Sequence, residues 1–308
     1  MNLKIIPALL AFVFIASGAH AVTTGVDFLK LGIGARETGM GEASVASHSG
    51  VDSSYWNPAG LSDITQTELS LMHSDAIIDA SLNFVGVAVP LKNGDVICVN
   101  TIVYVIKPVP VTDASGQSMG DLNWLDGAAA VSYARNITDS ISAGLSAKIV
   151  HRMESDPIFG RSEGSAYAFD AGAIYKTHYK GLSVGYALLN TGTELQMTGE
   201  VKKDTLPQTS RLGLTYEYEL DKNLHLVGSW DFHRILDNSW HTGAGVEINI
   251  RNEFFLRTGF YEKDGSISGN TFGFGFMVNQ FRFDYSSIPV SEMTGYNRNN
   301  KFSLSVFF

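Results

Sequence analysis

The chain has 308 residues, a net charge of −9 and a charged fraction of 17%, below the ~25% usual for soluble domains. The acidic balance excludes a nucleic-acid partner, because phosphate binding needs a basic surface. Cys98 is the single cysteine; it makes no internal disulfide, it sits far from any lipoprotein cleavage position, and a buried, inert thiol is expected.

Residues 1–21 read as a removable secretory signal. Lys4 supplies the positive region, Ile5 to Ala16 the apolar stretch, and Ala19-His20-Ala21 the small-residue cleavage site. The stretch is short for a span of ~20 residues, and no later segment has the ~18 uninterrupted apolar residues of a transmembrane helix. Residues 22–66 come next and do not alternate. Gly32, Gly34, Gly39 and Gly41, with Ala35 and Ala43, make a compact stretch that can approach other backbone closely. Tyr55-Trp56-Asn57-Pro58-Ala59-Gly60-Leu61 follows as a rigid turn. The glycines lack the preceding strand and the G-x-G-x-x-G order of a dinucleotide site, and no phosphate-binding Gly-Lys-Ser/Thr ending is present. No cofactor is expected.

From about Glu68 onward, apolar and polar or small residues alternate with a period of two. Ile141, Ala143, Leu145, Ala147 and Ile149 share one face; so do Tyr167, Phe169, Ala171, Ala173 and Tyr175, and later Phe272, Phe274, Phe276 and Val278. The pattern predicts strands over 67–74, 81–90, 95–105, 123–134, 140–152, 164–176 and 182–191. It continues with 209–219, 223–233, 241–250, 253–262, 269–278, 280–288 and 301–308. This is about fourteen, the even number that bacterial barrels require.

Connections sort by parity. Those after even strands are tight, as at Lys92-Asn93-Gly94, Asp221-Lys222 and Arg251-Asn252. Those after odd strands are longer: Lys107 to Asn123, Glu154 to Glu163, Thr191 to Thr209 and Pro289 to Asn300. Short periplasmic turns and long outer loops give this asymmetry, with both ends of the barrel domain inside; a soluble sandwich has no reason for it. The reading is an all-β transmembrane antiparallel β-barrel over 67–308 in the Gram-negative outer membrane, in contact with its lipid. The final strand carries Phe302, Leu304, Val306 and Phe308 on one face. That ending resembles the signal read by the barrel-assembly machinery. A barrel this wide is not filled by its own inward side chains, so 22–66 is expected to plug it.

The run Phe28-Leu29-Lys30-Leu31-Gly32-Ile33-Gly34-Ala35-Arg36, then Met40-Gly41, then Tyr55 to Leu61, resembles the start of the PorV/PorQ family of outer-membrane proteins. Those are similar in fold to the FadL long-chain fatty-acid transporters. The resemblance implies an N-terminal hatch inside a fourteen-stranded barrel; Arg36, Asn57, Pro58, Ala59 and Gly60 are its candidate residues, either filling and stabilising the barrel as a plug or moving as a gate. It also implies one of two activities: passage of hydrophobic small molecules through a gap in the barrel wall, or partnership with type IX-like secretion components in delivering proteins to the surface. At 308 residues the chain is shorter than typical FadL transporters, so reduced outer loops are expected.

In the lumen, Lys30 and Arg36 need carboxylate partners, because a buried unpaired charge is costly. Asp170, Asp231 and Asp284 face inward by parity and are the expected partners. His225, Asp231 and His233 share a face, but residues 225 and 233 stand ~26 Å apart at ~3.3 Å per residue, so no metal is expected there. No nucleophile, base and orienting group come together around His151, and the G-x-S-x-G elbow is absent. The chain is read as a non-enzyme. Trp124, Trp230 and Trp240 are read as parts of the interfacial aromatic girdles.

Overall fold

The computed structural model describes residues 24–48, 50–75, 79–237, 239–263, 267–289 and 298–308. The signal read over 1–21 lies outside them, as does most of the loop before Asn300. Fourteen antiparallel strands close into a barrel. They begin with β1 (Glu68–Asp75), β2 (Ala80–Pro90), β3 (Val96–Thr112), β4 (Ser118–Thr138), β5 (Ile141–Asp156), β6 (Gly160–Lys176) and β7 (Leu182–Gly192). A two-stranded excursion, β8 (Leu195–Gln196) with β9 (Lys203–Asp204), follows. The barrel resumes with β10 (Thr209–Asp221), β11 (Leu224–Ile235), β12 (Trp240–Ile250), β13 (Phe254–Lys263), β14 (Ile267–Val278), β15 (Phe281–Pro289) and β16 (Arg298–Phe307). Every strand pairs with its neighbour in order, and β16 closes on β1 from Glu68↔Phe307 to Ser74↔Lys301. The expected strand count and terminal closure are both found.

Alternation sorts the side chains as the period of two requires. Phe254 and Leu256 lie outward at 56% and 52% exposure, while Phe255 and Arg257 between them are buried. An outer face of Phe, Leu, Tyr and Val suits lipid rather than water. No described helix is long and apolar enough to cross a membrane. Cys98 is buried. Trp230 and Trp240 face outward, but Trp124 has the inward parity of β4, and the Arg152 guanidinium lies over its ring at 5.1 Å. It is not part of an outer girdle.

Two of the expected long loops are hairpins instead. β3 and β4 run to Thr112 and Ser118, and β5 and β6 to Asp156 and Gly160, so only short turns remain. The prolines at 108 and 110 argued for a loop. β2, however, begins opposite Ile106, so beyond it β3 has an open edge on which a residue without N–H loses nothing.

Candidate functional site

The segment before β1 is built from pieces too short to be stable alone. A 3-10 turn covers Asp27–Lys30, and helix α1 covers Ala35–Gly39; a second 3-10 turn over Gly50–Asp52 leads into helix α2 (Ser53–Trp56) and a third turn over Pro58–Asp63. Gly41 and Glu42 both take positive φ, 69° and 63°, and reverse the chain after α1. At the last turn Asn57 is a side-chain cap, its Oδ1 accepting the Ala59 N–H at 3.0 Å with Pro58 in the first position.

Docking against the wall holds these pieces. Ala35 N–H donates to Ser303 Oγ at 3.0 Å, and Thr271 Oγ1 donates to the carbonyl of Gly39 at 2.9 Å. The Thr38 and Ser286 hydroxyls lie 2.7 Å apart. On the far side Asn57 Nδ2 donates to Val45 O at 2.7 Å and to Ala173 O on β6 at 3.3 Å. The wall meets the hatch at inward glycines. A Cβ at Gly172 would collide with the Asn57 side chain, one at Gly144 with Pro58, and ones at Gly243 and Gly245 with Gly41 and Met40. Almost all of 32–62 is buried, so the hatch expected over 22–66 lies in the lumen, from Thr24 onward among the described residues.

Its charges find partners, though not the expected ones. Arg36 makes a two-pronged contact to Glu247 on β12, at 3.0 and 3.2 Å. Arg257 on β13 donates to the same Glu247 at 2.5 Å and to Asp284 at 2.7 Å, and Arg282 reaches Asp284 at 2.8 Å. Lys30 pairs with Asp237, 2.7 Å away, just past β11. The three expected aspartates are inward and buried as parity required, but none serves Arg36 or Lys30 directly. Asp170 holds Lys148 at 3.0 Å and the Asn190 N–H at 2.7 Å. Asp231 accepts the N–H groups of Ser44 and Val45 at 2.7 and 2.8 Å, pinning hatch backbone rather than a hatch cation. The correction has a simple cause: parity fixes a face, not a height or a position around the barrel. Glu247 carried the same inward parity within its strand, between outward Val246 and Ile248, and was legible to that extent.

Outside the spans, burial tends to neutralise Lys30, but hydrogen bonds to Asp237 and Asp27 outweigh it and raise its pKa. Burial likewise opposes ionisation of Asp237, yet the donors Lys30, Thr24 and Ser239 hold it far below the carboxylate range.

One sector of the wall is interrupted. The β6–β7 register shifts between Phe169 and Ala171, where Asn190 takes φ 57°. Above Leu189↔Thr209, β7 and β10 part. Past Ala168↔Gly192, β6 is bordered not by a barrel strand but by the excursion 193–208. Thr193 N–H donates to Tyr167 O and Thr198 N–H to Glu163 O, both at 2.9 Å. Leu195, Met197 and Leu206 are buried in one cluster with Val26, Phe28 and Leu29 of the hatch. The hatch start latches this closure: Thr24 bridges to Thr205, Gly25 N–H donates to Thr205 O at 3.0 Å, and Thr24 Oγ1 donates to Asp237 at 2.7 Å. Where β7 and β10 part lies a cavity of about 20 Å³, room for about one water. Its walls mix Leu29, Trp56, Leu189 and Ile235 with Lys148, Arg211 and His233. The sequence marked 191–209 as a long connection but not as part of the wall, because the excursion keeps neither period.

No protein-family model and no curated protein sequence matches the chain. Solved structures do match its fold. Similarity to the Ralstonia pickettii toluene transporter TbuX covers 90% of this chain and 98% of that one, with TM-score 0.62 and 13% identity. For the P. putida toluene transporter TodX the coverage is 90% and 99%, with TM-score 0.63 and 12% identity. A Pseudomonas aeruginosa FadL homologue matches over 86% and 95%, with TM-score 0.54 and 11% identity. At such identities the likeness concerns architecture: the chain shares the fold of these transporters, a closed barrel around its own N-terminal segment.

Proposed function

We propose that this barrel passes hydrophobic compounds across the Gram-negative outer membrane, and that the path runs sideways through the wall between β6 and β10 rather than straight down the lumen. The observation that carries the reading is the interrupted sector itself. There the wall is a latched excursion instead of a ladder, and an amphipathic cavity lies at its base, lined by Leu189 and Asn190 of β7 and Thr209 of β10. Elsewhere the lumen is filled by a hatch bound at glycine sockets. A ligand needs roughly 300 Å³ or more, far beyond the cavity as it stands, so passage requires the excursion to move. The similarity to toluene transporters and to a FadL homologue supports the same class of cargo. We assign Phe302, Leu304 and Phe308 of the closing strand, with Val306, to recognition by the assembly machinery.

The test is uptake by cells whose lipopolysaccharide leaflet resists hydrophobic solutes. Producing the barrel is expected to raise entry of a hydrophobic fluorescent probe about tenfold, a barrier change of about 1.4 kcal/mol, with no change for a sugar of similar size. Equal stimulation of both solutes, or of neither, would refute it.

A second reading is a PorV/PorQ-like scaffold or shuttle in protein secretion. One observation favours it: Phe159 at the β5–β6 tip and Val201 in the excursion stand 88% and 95% exposed, as partner-binding apolar side chains do. Periplasmic secretion components retained on the gently solubilised barrel, without bound lipid or hydrocarbon, would select it.

A further inference from the structure

Between the hatch and β1 the buried charges do not balance. Arg36, Arg257 and Arg282 are closed onto Glu247 and Asp284. Three more carboxylates, Glu37, Asp52 and Glu68, are buried beside them at 1%, 7% and 7% exposure. For these the compensation is slight. Arg36 comes no nearer to Glu37 than 3.8 Å, and among the described residues Asp52 takes only the Ser70 hydroxyl, at 2.8 Å, and neither oxygen of Glu37 meets a hydrogen-bond donor.

Glu37 and Asp52 also converge. Gly34 sits beneath both: a Cβ there would run into Glu37 Oε2 and lie 2.7 Å from Asp52 Oδ2. Two carboxylates so placed in a low dielectric cannot both stay ionised. Among the described residues no group of three His, Cys, Asp or Glu is arranged to hold a metal ion. A proton is the remaining compensation, and it also supplies the donor that Glu37 lacks.

We propose that Glu37 and Asp52 share a proton that clamps α1 to the turn at Gly50–Asp52, making hatch docking proton-dependent. The charged groups facing the pair are Arg36 on α1, Glu68 on β1, and Arg282 with Asp284 on β15. Desolvation is the main cause that raises both groups from their ordinary values, Asp52 well above its own; Arg36 opposes it at Glu37, and Glu37 and Glu68 add to it at Asp52. A folded-state pKa raised in this way gives stability that is complete below the ordinary carboxylate pKa of about 4. That stability is lost as pH rises through the raised value. The hatch therefore loosens toward alkaline pH. The clamp is independent of what the barrel carries.

Hydrogen exchange of the whole detergent-solubilised barrel reads it out, corrected for intrinsic exchange rates. Between about pH 5 and about pH 8.5, protection of residues 34–56 is expected to fall about tenfold or more, while that of β13 holds. Glu37→Gln and Asp52→Asn each remove the shared ionisation, so the fall in their hatch protection between the two pH values is expected to be clearly smaller than the wild type's. If one variant fails to fold, as judged by heat-modifiable mobility, the other and the wild-type profile still decide. A wild-type hatch indifferent to pH, or a wild-type response in both variants, overturns the proposal. So does loss of protection on adding a chelator at the lower pH, which would put a cation where the proton is assigned.

Discussion

Glu247 carries two arginines, Arg36 from the hatch and Arg257 from the neighbouring strand, and the two substitutions that break the Arg36 contact should differ for that reason. Glu247→Gln strands Arg36 and leaves Arg257 with Asp284 as its one remaining carboxylate, and is expected to cost about 3–5 kcal/mol. Arg36→Met leaves Glu247 still paired with Arg257 and should cost less, about 1–2 kcal/mol. Urea unfolding midpoints in detergent check the order; equal costs would mean that Glu247 is not shared. At this scale the sequence was half legible. The inward parity of Asp170, Asp231 and Asp284 was right, and so was the need of Lys30 and Arg36 for carboxylates. The pairing was not, because Arg36 meets Glu247 only once Met40 and Gly41 have docked on Gly243 and Gly245, a tertiary event. Asn57 was readable as a turn residue, and its cap on Ala59 follows from local chemistry. Its contact with Ala173 on β6 does not.

Elements were more legible than their partners. Alternation alone located all fourteen barrel strands, since each has one lipid face and one filled face to keep apart. It failed where that contrast ends. Beyond Ile106 the β3–β4 hairpin continues without a β2 neighbour and without the alternation of buried and exposed faces, and Pro108 and Pro110 hid it. Those prolines have a use. They remove donors from the open edge of β3, and exposed edges invite pairing with other chains. Replacing both with valine is expected to leave the barrel intact but to drive self-association, seen as a rise in mass by light scattering. A strictly unchanged mass would show that the edge is guarded some other way. The excursion 193–208 escaped for a different reason: its buried Leu195, Met197 and Leu206 pack on the hatch, not on a sheet neighbour.

For the whole molecule, the hatch and the interrupted wall divide the work. The hatch fills the lumen and blocks a straight pore, while its first residues, Thr24 and Gly25, hold the excursion shut from inside. Asp237, far below the carboxylate range, holds its ionic latch to Lys30 fully from the ordinary carboxylate pKa of about 4 upward until Lys30 itself deprotonates, and on the acid side loses it as pH falls through the depressed value. Acid therefore leaves this latch closed under conditions in which the Glu37–Asp52 clamp is also closed.

Sideways passage requires that the latch open, and one measurement addresses this directly. Thr24 and Thr205 are paired across the closure, so cysteines at both positions can lock it; Cys98 is buried and does not compete. Uptake of the hydrophobic probe by cells bearing the double variant should fall about tenfold when the bridge is oxidised and recover on reduction, with either single variant behaving as wild type. Undiminished uptake through the locked barrel would contradict a lateral path at this sector.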